Sequence, residues 1–209
     1  MSIKRRLINN YKQYGLKIFI KRLIKRTVSL IINIETYILA KTNIDLTISI
    51  PKPKLKIKVL PLKKDEIKKM DISSQKKMLF YERSNSKDKI CLTACHNSEI
   101  IYYCWVSLKK MQICRRDKEV ELKNNEGFLF DAFCFPQWRG NMIHAYMSQE
   151  RLRYLKELGK EIAFVSYLQD NNVAARILAS IGFIPEKKIK VISIFKLINM
   201  ITAKEIFII

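Results

Sequence analysis

Between residues 3 and 41 the apolar positions Leu7, Tyr11, Tyr14, Ile18, Leu23 and Ile24 recur at three-, four- and five-residue spacings, with Lys and Arg between them. That period predicts one basic amphipathic helix, or two broken near Gly15. Pro51 and Pro53 follow in an Ile-Pro-Lys-Pro-Lys run. Proline fixes its own φ and drives its predecessor to extended backbone, so residues 46–54 read as a linker after a helical extension over 1–45. Leu55, Ile57, Val59 and Leu62 alternate with lysines as a first strand, and Asp65 offers an N-cap for a helix to residue 80. Two strands are expected at 90–95 and 100–108, split by the hairpin composition His96-Asn97-Ser98-Glu99. The aromatic run at 127–135 reads as a strand buried on both faces, ending at Pro136.

After Gly140 the period becomes helical. Ile143, Tyr146, Met147, Leu152, Leu155 and Leu158 form one face, and Gly159 stands at the stop. Residues 161–168 read as a strand, 172–180 as a helix ended by Gly182, 187–197 as a last strand or hairpin arm, and 199–209 as a tail. The main domain is therefore placed at residues 55–198.

Charge changes this picture at one end. The 209 residues hold 40 Lys and Arg against 19 Asp and Glu, a formal charge of +21. Such a field attracts anions: nucleic acid, lipid headgroups or a polyphosphate cofactor. A preference for Lys, Ile and Asn along the whole chain is an alternative source of the excess. Residues 3–26 carry nine basic side chains and no acidic one. This gives the extension two readings, peripheral contact with an anionic membrane or packing on the domain or a partner subunit. The five cysteines, Cys91, Cys95, Cys104, Cys114 and Cys134, are odd in number and mostly embedded in apolar runs, which fits reduced thiols. Cys91-x-x-x-Cys95-His96 lacks a second half-site at zinc spacing, so no metal is expected. No secretory leader or spanning helix is expected either, and the expected location is cytoplasmic, with the basic extension able to touch the inner membrane face.

The chemistry concentrates at one junction. A strand that hands over to a helix leaves the helix's first N–H groups unpaired, an anion site in waiting. Arg139 adds a charged donor there and Gly140 a close backbone approach. Asp131 is the one carboxylate within that strand; it is either an acceptor-binding group or base, or a structural Asp bonded to backbone or Arg. His144 is either a proton shuttle or a simple contact.

Cys134-Phe135-Pro136-Gln137-Trp138-Arg139-Gly140, followed by Asn171, Ala174, Gly182 and Phe183, resembles the GNAT acetyltransferase family, whose strand, Arg-Gly turn and helix bind acetyl-CoA. The resemblance covers residues 55–197 in element order and 131–183 in specific residues. It is similar to a branch found among surface-polysaccharide biosynthesis proteins.

The resemblance implies a mixed α+β (α/β) fold with a central, mostly antiparallel sheet flanked by helices. It implies transfer of an acetyl or short acyl group to a primary amine, an amino sugar or sugar nucleotide among the candidates. It also implies cofactor contacts at Phe133, Cys134, Phe135, Arg139, Gly140, Asn141, Met142, Ile143, His144 and Asn171, with Asp131 and His144 as catalytic candidates. Three positions depart from the family pattern. Met142 and His144 fill small-residue positions, and Leu178 stands where the family's Tyr acid falls, leaving Tyr146, Tyr167 or water for that role. The competing reading is a binding protein that turns a degenerate scaffold towards nucleic acid or anionic lipid; nucleic acid is the less favoured partner. A dimer is one open assembly state.

Overall fold

The computed structural model describes residues 32–44, 46–48, 52–113, 119–194 and 198–204. In chain order its strands are β1 (Ile32–Asn43), β2 (Lys58–Pro61), β3 (Lys89–His96), β4 (Glu99–Ser107), β5 (Lys110–Met111), β6 (Val120–Glu121), β7 (Glu126–Cys134), β8 (Ile162–Leu168), β9 (Ile184–Ile194) and β10 (Ile198–Lys204). The helices are α1 (Ser74–Ser84), α2 (Ile143–Glu157) and α3 (Asn172–Ser180). Short 3-10 turns occupy Glu66–Lys69 and Pro136–Trp138.

The chain divides into two units. In the larger, built on Tyr37–Lys188, strands follow the order β1-β8-β7-β4-β3-β2. Every described pairing in this sheet is antiparallel except β7 with β8, which run parallel. A parallel pair needs a crossover, and α2 provides it. The smaller unit holds residues 32–36, 189–194 and 198–204, where the strand order is β10-β9-β1.

β4 shows how the sheet is covered. Its side chains alternate, so Tyr102 and Cys104 face one side while Tyr103 and Trp105 face the other. Tyr102 and Cys104 join Ile143 and Met147 of α2 in one core cluster. Tyr103 and Trp105 join Phe80 of α1 in another, where edge-to-face contacts set ring centroids 5.0 and 5.1 Å apart. Full burial of one such side chain contributes roughly 1.5–3 kcal/mol. A third cluster, with Leu129, Leu152, Leu155, Ala163, Leu178 and Phe183, packs α2 and α3 on β7 and β8. Gly127 permits that closeness: a Cβ there would lie 2.7 Å from Leu155 Cδ2.

Much of the sequence reading holds. The β3–β4 hairpin turns through Asn97 and Ser98, both at positive φ, as a right-twisted two-residue loop requires. Gly159 and Gly182, at φ +76° and +89°, close α2 and α3 in the left-handed conformation.

Four expectations are corrected. Residues 32–43 are strand rather than part of a helical extension; from Tyr37 onward they pair with β8, so this stretch belongs to the sheet. Residues 3–31, which carry the rest of that expected helix, lie outside the described residues. The helix expected from Asp65 is a 3-10 turn without a side-chain cap, and α1 starts later because the Ser73 hydroxyl accepts from the Lys76 amide. Residues 199–204, expected as tail, belong to strand β10 (Ile198–Lys204). Finally, β7 is buried at Gly127, Phe128 and Leu129 but half-exposed from Phe130 to Cys134, because its parallel partner leaves it there.

Candidate active site

The parting of β7 and β8 makes the site. Their ladder runs from Glu126 opposite Ile162 to Leu129 opposite Val165 and stops, although β7 continues to Cys134 and β8 to Leu168. β7 stays paired to β4 on its other side, with Tyr102 opposite Cys134 and Tyr103 opposite Phe133. The Phe135 amide donates to the Ile101 carbonyl at 3.1 Å. Because backbone groups alternate along a strand, the Cys134 N–H and C=O point the other way, into the gap. Of the three backbone groups expected to receive a cofactor, Phe135 is thus committed to β4 and Phe133 lies in the same register, while Cys134 faces the opening. Asp131, at φ +42°, is the extra residue of a bulge between Tyr103 and Trp105 on the partner strand.

Beyond β7 the Pro136–Trp138 turn leads to Arg139, whose Nε donates to the Cys134 carbonyl at 3.2 Å. Its guanidinium is also 5.8 Å from the Phe133 ring centroid. Gly140, at φ +81°, has open space where a Cβ would stand. Asn141 Nδ2 donates to the Trp138 carbonyl at 3.0 Å and braces the loop. Met142 is the N-cap of α2 at φ +61°, makes no side-chain cap, and is 40% exposed. Its side chain therefore stays at the loop mouth rather than turning into the core. With a thioether at the cap, the amides of Ile143, His144 and Ala145 have neither an intrahelical acceptor nor a capping oxygen. The Ile143 side chain is core, so that residue offers the site its backbone only.

His144 is half-buried and its Nδ1 lies 2.6 Å from the Tyr102 hydroxyl. Burial, and secondarily the Arg151 charge, pushes its pKa down to about 4, so the ring is neutral at neutral pH. That state suits a hydrogen-bond partner and argues against the shuttle role. Arg151 is 2% exposed, and its Nη2 donates to Ser148 Oγ at 3.0 Å while Nε has no partner. Asn171 is the N-cap of α3: its Oδ1 accepts from the Ala174 amide at 3.1 Å, which makes its evident role structural. Leu178 is buried core and offers no acid. Burial raises the Tyr146 and Tyr167 hydroxyl pKa values, so both remain protonated donors at neutral pH.

Asp131 does not stand as a free carboxylate. Oδ2 accepts from Arg83 Nη1 at 2.5 Å, and Oδ1 is 3.7 Å from Lys76 Nζ. Both cations come from α1, where Lys76, Phe80 and Arg83 share one stripe. The spacing i, i+4, i+7 reads as a stripe once the helix is placed at Ser74–Ser84. A separate cavity of about 500 Å³ opens at the β3–β4 turn, lined by Glu66, Met70, Asp71, Glu99, Phe135 and Gln137 among others. Glu66 there accepts from the Lys63 amide and Glu99 from the Trp138 indole. Cys91 and Cys104 are buried thiols whose pKa values burial raises, and Cys114 lies outside the described residues.

No protein-family model and no curated protein matches the chain. Solved structures do. A tandem GNAT protein from the clavulanic acid biosynthesis pathway matches over 73% of this chain and 51% of its own, at 12% identity and TM-score 0.55. A GNAT acetyltransferase homologue from Novosphingobium aromaticivorans matches over 77% of this chain and 64% of its own, at 9% identity and TM-score 0.50. A Drosophila protein reaches TM-score 0.56 at 13% identity, over 84% of this chain and 57% of its own. The chain thus spans about half to two thirds of the length of these proteins. The fold is that of the GNAT acetyltransferases: a mixed, mostly antiparallel sheet flanked by helices, opened where its parallel pair separates.

Proposed function

We propose that the protein transfers an acetyl or other short acyl group from acyl-CoA to a primary amine, with amino sugars and sugar nucleotides among the candidate acceptors. The observation that carries this reading is the separation of β7 from β8 after Leu129, directly beside a glycine loop and an uncapped helix start. A pantetheine arm needs an extended slot with free backbone, and a pyrophosphate needs clustered N–H donors with a nearby cation. The chain has residues for both. The Cys134 N–H lines the slot, its carbonyl already accepting from Arg139; the amides of Ile143 and His144 with Arg139 would hold the phosphates. Gly140 leaves room for close approach, as the open space at its missing Cβ indicates. Met142 narrows the mouth, since its side chain is exposed there.

Acyl-CoA supplies an activated thioester. In the transfer, the amine nitrogen forms a C–N bond to the acyl carbon and the C–S bond breaks. The proton lost from the amine is balanced by one taken up by the departing thiolate. Positioning can account for much of such a rate, and a protonated tyrosine such as Tyr146 or Tyr167 can donate to the leaving sulfur.

Calorimetry of the protein with acetyl-CoA, repeated with Arg139→Ala, tests the proposal without knowledge of the acceptor. Micromolar affinity is expected, reduced on the order of tenfold or more by loss of one charge-assisted contact. Absence of binding in the unaltered protein would overturn the reading and return the basic surface to an anion-binding role.

A further inference from the structure

From the cluster on α1 we infer the acceptor class: an amine that also carries an anionic group, a carboxylate or phosphate, held by Lys76 and Arg83 while Asp131 receives its ammonium. The inference rests on the acyltransferase reading. Asp131 sits on the bulge of β7, within the stretch where that strand has left β8, which puts its carboxylate next to the proposed slot. Around it stand two cations for one anion. Arg83 makes the close pair, at 2.5 Å with 18% side-chain exposure. Lys76 is the surplus charge. Its ammonium touches Asp131 only at 3.7 Å and otherwise lies over rings, 4.8 Å from the Tyr103 centroid and 5.2 Å from that of Phe133.

An ammonium a quarter exposed, with three donors and no hydrogen-bond acceptor among the described residues, is prepared for an anion that arrives with the substrate. The surroundings select further. Arg83 covers Phe130 at 5.0 Å, and Phe133 stacks on Tyr103 at 5.5 Å, so the cluster has an aromatic wall on which a ring or flat group can lie. In the core below, the Tyr103 hydroxyl and the Trp105 indole N–H are buried without a hydrogen-bond partner among the described residues. A ligand with both charges satisfies all three side chains: its ammonium replaces Lys76 at Asp131, and its anion takes the freed lysine. A polycation meets net repulsion at the same place, and a neutral amine leaves Lys76 unanswered.

The test compares amines that differ only in the anion. Ethanolamine is set against its phosphate ester, and phenylalanine against its methyl ester, with spermine as the polycation. Binding is measured by calorimetry on the protein without acetyl-CoA, and turnover by thiol release with it. One member of a pair, phosphate or carboxylate, is expected to bind on the order of ten- to a hundredfold more tightly than its counterpart without the anion, and the pair that does so identifies the anion.

Lys76→Met, which keeps the apolar stem, should bring that pair towards parity while leaving acetyl-CoA affinity and the circular dichroism spectrum unchanged. Parity in the unaltered protein, or an equal effect of Lys76→Met on every amine, would overturn the inference. A preference for spermine would do the same and move the acceptor to the carboxylate-lined cavity. Because the binding arm needs no acyl donor, loss of acetyl-CoA binding would sink the acyltransferase reading separately.

Discussion

His144 gives the most direct check on the electrostatics of the site. Its pKa in the folded protein is about 4, held down first by burial and then by the Arg151 charge, against an ordinary value of 6.5. A depressed folded pKa means that the unfolded chain binds more protons at acid pH. The neutral ring's contribution to stability is therefore complete above the unfolded value and is lost as pH falls towards the folded one. Two and a half pKa units correspond to roughly 3 kcal/mol in full, of which about 2 kcal/mol is gone by about pH 5. These are upper figures, because the ring keeps some contact with water. The perturbation is His144→Gln, whose side-chain carbonyl can still accept from the Tyr102 hydroxyl but cannot titrate. Urea unfolding followed by circular dichroism at about pH 7 and about pH 5 should show the unaltered protein losing about 2 kcal/mol more than the variant. Carboxylates titrate in both proteins and cancel in the difference. Equal losses would refute the reasoning and restore His144 as a group free to carry protons near neutrality.

Substitutions at three other positions separate structural from ligand-binding roles. Asn171→Ala removes the α3 cap and should cost about 1 kcal/mol in urea unfolding without weakening acetyl-CoA in calorimetry, since its oxygen is spent on Ala174. Met142→Gly should change stability by less than about 1 kcal/mol, because relief at φ +61° is offset by entropy of the unfolded chain, and should raise acetyl-CoA affinity by clearing the loop mouth. Met142→Val, β-branched at the same φ, should instead lose more than about 1 kcal/mol in thermal unfolding. Gly127→Ala forces a Cβ onto Leu155 and should cost about 1–3 kcal/mol in the same measurement.

What the sequence could reveal depended on whether the signal was local. α2 and α3 were legible because helix period and terminal glycines agree, and the β3–β4 hairpin because Asn97-Ser98 suits positive φ at both positions. β1 was misread for a physical reason. Ile38, Leu39 and Ala40 are buried in succession, and a continuous apolar run does not distinguish a strand from a helix by period. The start of α1 was misplaced because Asp65 reads as a cap in the sequence, whereas in the fold the Ser73 hydroxyl is the group that accepts from an amide.

The candidate site divides in the same way. Arg139, Gly140 and the helix start could be read from a contiguous stretch. The partner of Asp131 could not, because Arg83 lies 48 residues away and meets it only when α1 packs over β4. The Lys76, Phe80 and Arg83 stripe was present in the sequence, yet it becomes a signal only once the helix is placed at residues 74–84. Met142 carries the sharper lesson. The backbone keeps the left-handed conformation that a glycine position requires even though a side chain now occupies it. The loop geometry is therefore imposed by the surrounding turn and by the Asn141 brace to Trp138, not by the residue itself.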